Sequence, residues 1–142
     1  MADIMDNQPV DSNVSGLLGC EWIIDAYGCD PDLLRNLATL IHLCETMIEQ
    51  LDLNVVGHPL WHQFPGQAGV TGLYLLSESH LACHTYPEVH VATLNLYCCH
   101  WIQEQPWAEL LGKALRASHC DVVCVPRGRS ACMPTSLGKE ID

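Results

Sequence analysis

One stretch decides how this chain is read: Leu75-Leu76-Ser77-Glu78-Ser79-His80-Leu81-Ala82-Cys83-His84-Thr85-Tyr86-Pro87-Glu88. The apolar run Val70 to Leu76 leads into it, and Pro87 turns the chain out of it. Between them the residues alternate as a strand does, with successive side chains pointing to opposite faces. Leu81, Cys83 and Thr85 fall on one face; His80, Ala82, His84 and Tyr86 fall on the other. Two histidines therefore share a face where a core would prefer Val or Leu. Buried polar groups are costly unless hydrogen-bonded, so such a face is either exposed or functional.

Outward from this strand, the pattern gives the rest of the fold. Glu21 to Tyr27, with Trp22-Ile23-Ile24 and a stop at Gly28, reads as a strand. Asp30-Pro31 reads as a helix start, since Asp caps and Pro is tolerated at the first helical position. Leu33, Leu34, Leu37, Leu40, Ile41, Cys44, Met47, Ile48 and Leu51 recur at steps of three and four, which predicts one long amphipathic helix. Leu53 to Phe64 is the next predicted strand, closed by Pro65-Gly66. Val70–Leu76, His80–Tyr86 and Val89–Cys99 follow as strands. Pro106 opens a second helix with Trp107, Leu110, Leu111, Ala114 and Leu115 on its apolar face. Asp121 to Val125 is the last strand. The order β-α-β-β-β-β-α-β, with one apolar stripe per helix, predicts an α+β two-layer sandwich: an antiparallel-rich sheet with both helices on one face. Residues 1–15 and 130–142 read as polar flexible tails around a single domain of 142 residues.

Composition narrows the function classes. The formal charge of -11 argues against nucleic-acid binding and is compatible with a cationic substrate. No run approaches the ~18 apolar residues of a membrane helix. The first fifteen residues lack the basic start and apolar core of a signal peptide, which points to the cytoplasm. Nine cysteines, an odd number, then read as reduced thiols rather than a disulfide framework. Cys20, Cys29, Cys44, Cys120 and Cys124 read as small packed side chains. No metal is expected: Cys98-Cys99-His100 is too tight for a zinc knuckle, and Cys120-x3-Cys124 has no partner pair nearby. His80, Cys83 and His84 are the best zinc ligands the chain could offer.

Glu78-Ser79-His80-Leu81, followed by His84-Thr85-Tyr86-Pro87-Glu88, resembles the self-cleavage motif of the small bacterial and archaeal S-adenosylmethionine decarboxylases. These are pyruvoyl-dependent enzymes of polyamine synthesis. Gly19 to Asp30 resembles the family's first strand, Tyr97-Cys98-Cys99 its cysteine-bearing strand, and Arg127-Gly128-Arg129 its C-terminal Arg-Gly-Arg. The resemblance covers roughly residues 19–130 and implies the same architecture, with processed protomers assembled as a homodimer.

The resemblance also implies a chemistry. Removing carbon dioxide from an amino acid leaves a carbanion, and a pyruvoyl carbonyl joined to the substrate amine as a Schiff base can hold those electrons. Ser79 would be the precursor of that group. Its hydroxyl would attack the carbonyl of Glu78, and elimination would divide the chain into residues 1–78 and 79–142. An unactivated serine hydroxyl is a weak nucleophile. His84 matches the family's processing proton acceptor, and Thr71 its supporting hydroxyl. Cys99 matches the proton donor to the product carbon; a thiol with a pKa of roughly 8.5 holds its proton near neutrality yet can release it. Phe64 and Tyr86 match the aromatic residues that stack on adenine, and Glu88 the acid that binds the ribose hydroxyls. The substrate implied is S-adenosylmethionine, and the product feeds spermidine synthesis.

Several positions depart from the family pattern. Tyr86 stands where Trp is usual, Asn95 where Asp is usual, Glu21 where His is usual, and Cys98-Cys99-His100 where Thr-Cys-Gly is usual. The cysteine pair leaves the acid open between Cys98 and Cys99. These changes surround the pocket and leave the processing residues intact. They admit a relative that decarboxylates L-arginine or L-ornithine by the same machinery, with Glu88 pairing a cationic side chain. A second alternative is an unprocessed, non-catalytic partner of an active paralogue.

Overall fold

The computed structural model describes residues 16–129. The two predicted tails, residues 1–15 and 130–142, lie outside that range. Six strands form one sheet: β1 (Leu17–Tyr27), β2 (Leu60–Gln63), β3 (Val70–Leu75), β4 (Ser79–Tyr86), β5 (Val91–Cys98) and β6 (His119–Arg129). Their order is β2-β3-β4-β5-β1-β6, and every neighbouring pair is antiparallel. Three helices, α1 (Pro31–Leu34), α2 (Leu37–Gln50) and α3 (Trp107–Leu115), pack on one face. This is the α+β two-layer sandwich that the pattern predicts.

The alternation of side chains builds the core. On β4, Ser79, Leu81, Cys83 and Thr85 are buried toward the helices, while His80, Ala82 and His84 are half-buried on the other face and Tyr86 is exposed there. Leu81 and Leu96 from the sheet meet Leu40, Leu43, Met47, Leu111 and Leu115 from the helices. Each such side chain contributes about 1.5–3 kcal/mol by leaving water. The far face of the sheet has no helix over it. It leaves Ile23, Leu73, Leu75 and Val123 between 38% and 60% exposed.

Four local readings need correction. The long first helix is two helices, because Asn36 adopts an extended backbone and its side chain accepts from the N–H of Thr39 as a new N-cap. Asp30 caps α1 in the same way through the N–H of Asp32. Of the predicted strand Leu53–Phe64, only Leu60–Gln63 pairs continuously; upstream of it Val55 makes an isolated bridge to Leu76. Val89 belongs to a short 3-10 turn, Pro87–Val89, before β5 begins. The last strand runs through Pro126 to Arg129. β6 is a sheet edge, where a residue without an N–H breaks no ladder on its open side.

Candidate active site

Ser79 begins β4 directly after a two-residue hairpin tip, Ser77-Glu78. The tip is tied down on both flanks. The N–H of Leu76 donates to the Ser79 carbonyl at 3.0 Å, and the N–H of Ser77 donates to the Asn54 carbonyl at 2.9 Å. The N–H of Cys99, one residue past β5, donates to the carbonyl oxygen of Glu78 at 2.8 Å. That carbonyl belongs to the Glu78–Ser79 peptide bond.

Two buried polar side chains, Ser79 and Thr85, lie six residues apart on the same face of β4. Thr85 is fully used: its hydroxyl donates to the Leu34 carbonyl at 2.8 Å and accepts from the N–H of Val70 at 2.8 Å. Ser79 Oγ is buried against the Cys98 thiol and makes no well-formed hydrogen bond among the described residues. An orphaned hydroxyl costs about 1–3 kcal/mol. Next to it lies the Glu78 peptide carbonyl, held in place by the Cys99 amide.

The two adjacent cysteines separate clearly. Cys98 faces Ser79 across the β4–β5 pairing, is fully buried, and has its thiol pushed up to about 12 by burial and by the neighbouring Cys20. Cys99 is exposed and lines a cavity of about 400 Å³ with Ser79, His80, Tyr97, Glu21 and Arg127. Gly19 sits beside this end of β5. A Cβ there would lie 2.3 Å from the Cys98 carbonyl oxygen, so a larger residue would push the strands apart.

The other expected residues gather elsewhere. Thr71 and His84 are register partners on β3 and β4, and the Thr71 hydroxyl shares a hydrogen bond with His84 Nδ1 at 2.9 Å. His84 then lines a cavity of about 280 Å³ with Phe64, Tyr86, Glu88, Gln67 and Gly69. Phe64 and Tyr86 are about half exposed. The fold therefore brings Thr71, His84, Phe64, Tyr86 and Glu88 to one end of β4, and Glu78, Ser79 and Cys99 to the other. Five residues of strand separate Ser79 from His84, about 17 Å at ~3.3 Å per residue, and the two side chains leave opposite faces. Within one copy of the chain, His84 does not reach Ser79.

The set His80, Cys83 and His84 is also divided. Cys83 is buried on the helix side, with its Sγ 3.9 Å from that of Cys44, while both histidines lie on the opposite face. Among the described residues no group of three ligating side chains is placed to hold a metal. Cys20, Cys29 and Cys44 are packed as expected, and Cys120 and Cys124 are half-buried at the edge strand.

A row across the open face had no assigned role in the sequence reading. Leu75, His80, Tyr97, Glu21 and Val125 are consecutive cross-strand partners. His80 stacks on Tyr97 with ring centroids 5.4 Å apart, and the Arg127 guanidinium lies 5.4 Å above the same Tyr97 ring. Arg127 Nη1 donates to Glu21 Oε2, and Asn95 Nδ2 donates to Glu21 Oε1 at 3.2 Å. The signal available in the sequence was the parity of Glu21 and Tyr97 on their strands. Their meeting depends on the β5-β1-β6 order, which periodicity does not give.

The chain matches a family model described as S-adenosylmethionine decarboxylase over residues 20–128. It is 34% identical over 116 residues to the S-adenosylmethionine decarboxylase proenzyme of Caldicellulosiruptor saccharolyticus, covering 78% of this chain and 89% of that one. It is 35% identical over 82 residues to the proenzyme of that name from Hydrogenobaculum sp., covering 58% of this chain and 60% of that one. Its structure resembles the crystal structure of the adenosylmethionine decarboxylase from Aquifex aeolicus, with a TM-score of 0.66 and 26% identity over 80% of this chain and 93% of the other. Sheet, motif order and these likenesses agree, and the chain belongs to the S-adenosylmethionine decarboxylase family of enzymes.

Proposed function

We propose that the protein cuts itself between Glu78 and Ser79 and then decarboxylates S-adenosylmethionine, whose product is an aminopropyl donor for spermidine synthesis. The observation that carries this reading is the orphaned Ser79 hydroxyl beside a Glu78 carbonyl that accepts from the Cys99 amide. Attack by Ser79 Oγ on the Glu78 carbonyl carbon puts negative charge on the oxygen that already accepts the Cys99 N–H. A preorganised donor at that atom lowers the barrier. The C–N bond then breaks, the hydroxyl proton passes to the Ser79 nitrogen, and an ester replaces the peptide. Removal of the Ser79 Cα proton expels Glu78 as a carboxylate. Water then releases ammonia from residue 79, leaving a pyruvoyl group.

That group supplies a carbonyl electron sink for the departing carboxylate's electrons. The chain's own residues do the rest. Cys99, exposed in the Ser79 cavity, returns a proton to the substrate carbon. Cys98 is unsuited to this role, because burial holds its proton up to about pH 12. Phe64 and Tyr86 take the adenine between aromatic faces, and Glu88 accepts from the ribose hydroxyls.

The separation of the two groups along β4 supports a homodimer in which His84 and Thr71 of one copy act on Ser79 of the other. The bare sheet face, with Ile23, Leu73, Leu75 and Val123 partly exposed, offers apolar surface for such a contact. Each processed protomer is then a single domain made of residues 1–78 and 79–142. Among the described residues no helix is long and apolar enough to cross a membrane, and eight cysteines there are free thiols, which suits work in the cytoplasm.

Release of carbon dioxide from carboxyl-labelled S-adenosylmethionine, arginine and ornithine, assayed side by side, tests the substrate. The reading expects release from S-adenosylmethionine alone. Release from arginine or ornithine alone would transfer the same machinery to a basic amino acid.

A further inference from the structure

We propose that Arg127 is the residue that receives the substrate's α-carboxylate, and that Glu21 holds it in position for this. The inference rests on Ser79 being the site of the pyruvoyl group. Three observations converge on it. First, Arg127 shares one cavity with Ser79 and Cys99, and among the described residues it is the only Lys or Arg side chain lining that cavity. Whatever amino acid enters must bring its amine to residue 79 and its Cα within reach of Cys99. The carboxylate then lies in the same 400 Å³ space.

Second, the guanidinium has donors to spare. Of its five N–H groups, one is given to Glu21. Among the described residues the others have no hydrogen-bond partner, and the side chain is 47% exposed in a single protomer. A planar guanidinium matches a carboxylate through two parallel hydrogen bonds.

Third, the guanidinium is held on two sides. The guanidinium lies over Tyr97, which stacks on His80, the residue that follows Ser79. Glu21 anchors it from β1 and is itself fixed by Asn95. The carboxylate is thus directed relative to residue 79 rather than merely attracted. Glu21 also shares the cation's charge, so the leaving carboxylate is oriented without being held too tightly. This assigns a role to three positions, Glu21, Asn95 and Arg127, that the processing chemistry does not use.

The test uses processed protein and two probes. One is the deaminated analogue of S-adenosylmethionine, which keeps the carboxylate and has no amine to react. The other is the decarboxylated amine product. Arg127→Gln is expected to self-cleave normally by intact mass. By titration calorimetry its dissociation constant for the deaminated analogue rises about tenfold to a hundredfold, while that for the amine product stays within about twofold. KM for the amino acid rises in parallel. Equal weakening of both probes, or no change in either, overturns the proposal. If Arg127→Gln does not cleave, Glu21→Gln carries the test: Arg127, freed of its counter-charge, binds the deaminated analogue severalfold tighter, and unchanged binding overturns the idea. A wild-type chain that never cleaves removes the underlying pyruvoyl reading. A processed wild type with an indifferent Arg127→Gln removes this inference alone.

Discussion

The N–H of Cys99 and the carbonyl oxygen of Glu78 are 2.8 Å apart from donor nitrogen to acceptor, so the residue expected to serve turnover also grips the bond expected to break. In the proposed mechanism its backbone serves processing and its side chain serves catalysis. Cys99→Ala keeps the amide and loses only the thiol. We expect it to self-cleave at close to the normal rate and to lose about 10²-fold or more in turnover, the usual scale for a missing proton donor. Cys98→Ala should retain most turnover. Cleavage followed on gels and steady-state turnover of both variants check this. Full activity in Cys99→Ala would move the acid elsewhere.

Burial of the thiols makes stability fall in alkali. Cys98 is pushed up to about 12 and Cys29 to about 11, in each case mainly by burial, from an ordinary value near 9. In the folded state these groups keep protons that the unfolded chain gives up. The stabilisation is therefore complete below about pH 9 and is lost as pH rises toward 11–12. Chemical denaturation at pH 8 and pH 10.5 should show the midpoint falling. Alkylation of native protein at pH 8 should mark exposed Cys99 well before buried Cys98.

The distance along β4 leads to a complementation test. Ser79→Ala and His84→Ala proteins are each expected to remain uncleaved or stall. If His84 serves Ser79 across a dimer, a mixed dimer holds one complete pair. Co-expression should then cleave the His84→Ala chain, which retains Ser79, and leave the Ser79→Ala chain whole. Two differently tagged chains make this visible on one gel. Absence of cleavage in purified mixed dimers would contradict the shared site.

Thr85 gives a stability prediction independent of the chemistry. Its hydroxyl satisfies both the Leu34 carbonyl and the Val70 N–H. Thr85→Val, made in an uncleaved Ser79→Ala background, should lower stability by about 1–3 kcal/mol, because it leaves two buried backbone groups without partners. Denaturant melts against Ser79→Ala alone measure the difference.

The sequence displayed the sheet well and the site only in parts. Alternation at Leu81, Cys83 and Thr85 against His80 and His84 reports a strand with one core face, and the structure has that strand. The helix break at Asn36 was hidden because Leu33, Leu34, Leu37 and Leu40 keep their spacing through it; only the capping tendency of Asn marks it. The motif order pointed to Ser79, Thr71 and His84, and left open whether Ser79 and His84 meet within one chain or across two. A strand extends five residues over about 17 Å, and odd spacing sends the two side chains to opposite faces. Glu21 and Arg127 lie 106 positions apart, and nothing in local pattern announces their ion pair.

The most direct measurement is the mass of the purified protein, together with the identity of the amino end at position 79. The account predicts two chains divided between Glu78 and Ser79, the second blocked by a pyruvoyl group. One unbroken chain that decarboxylates, or a second chain beginning with an ordinary serine amine, would contradict it.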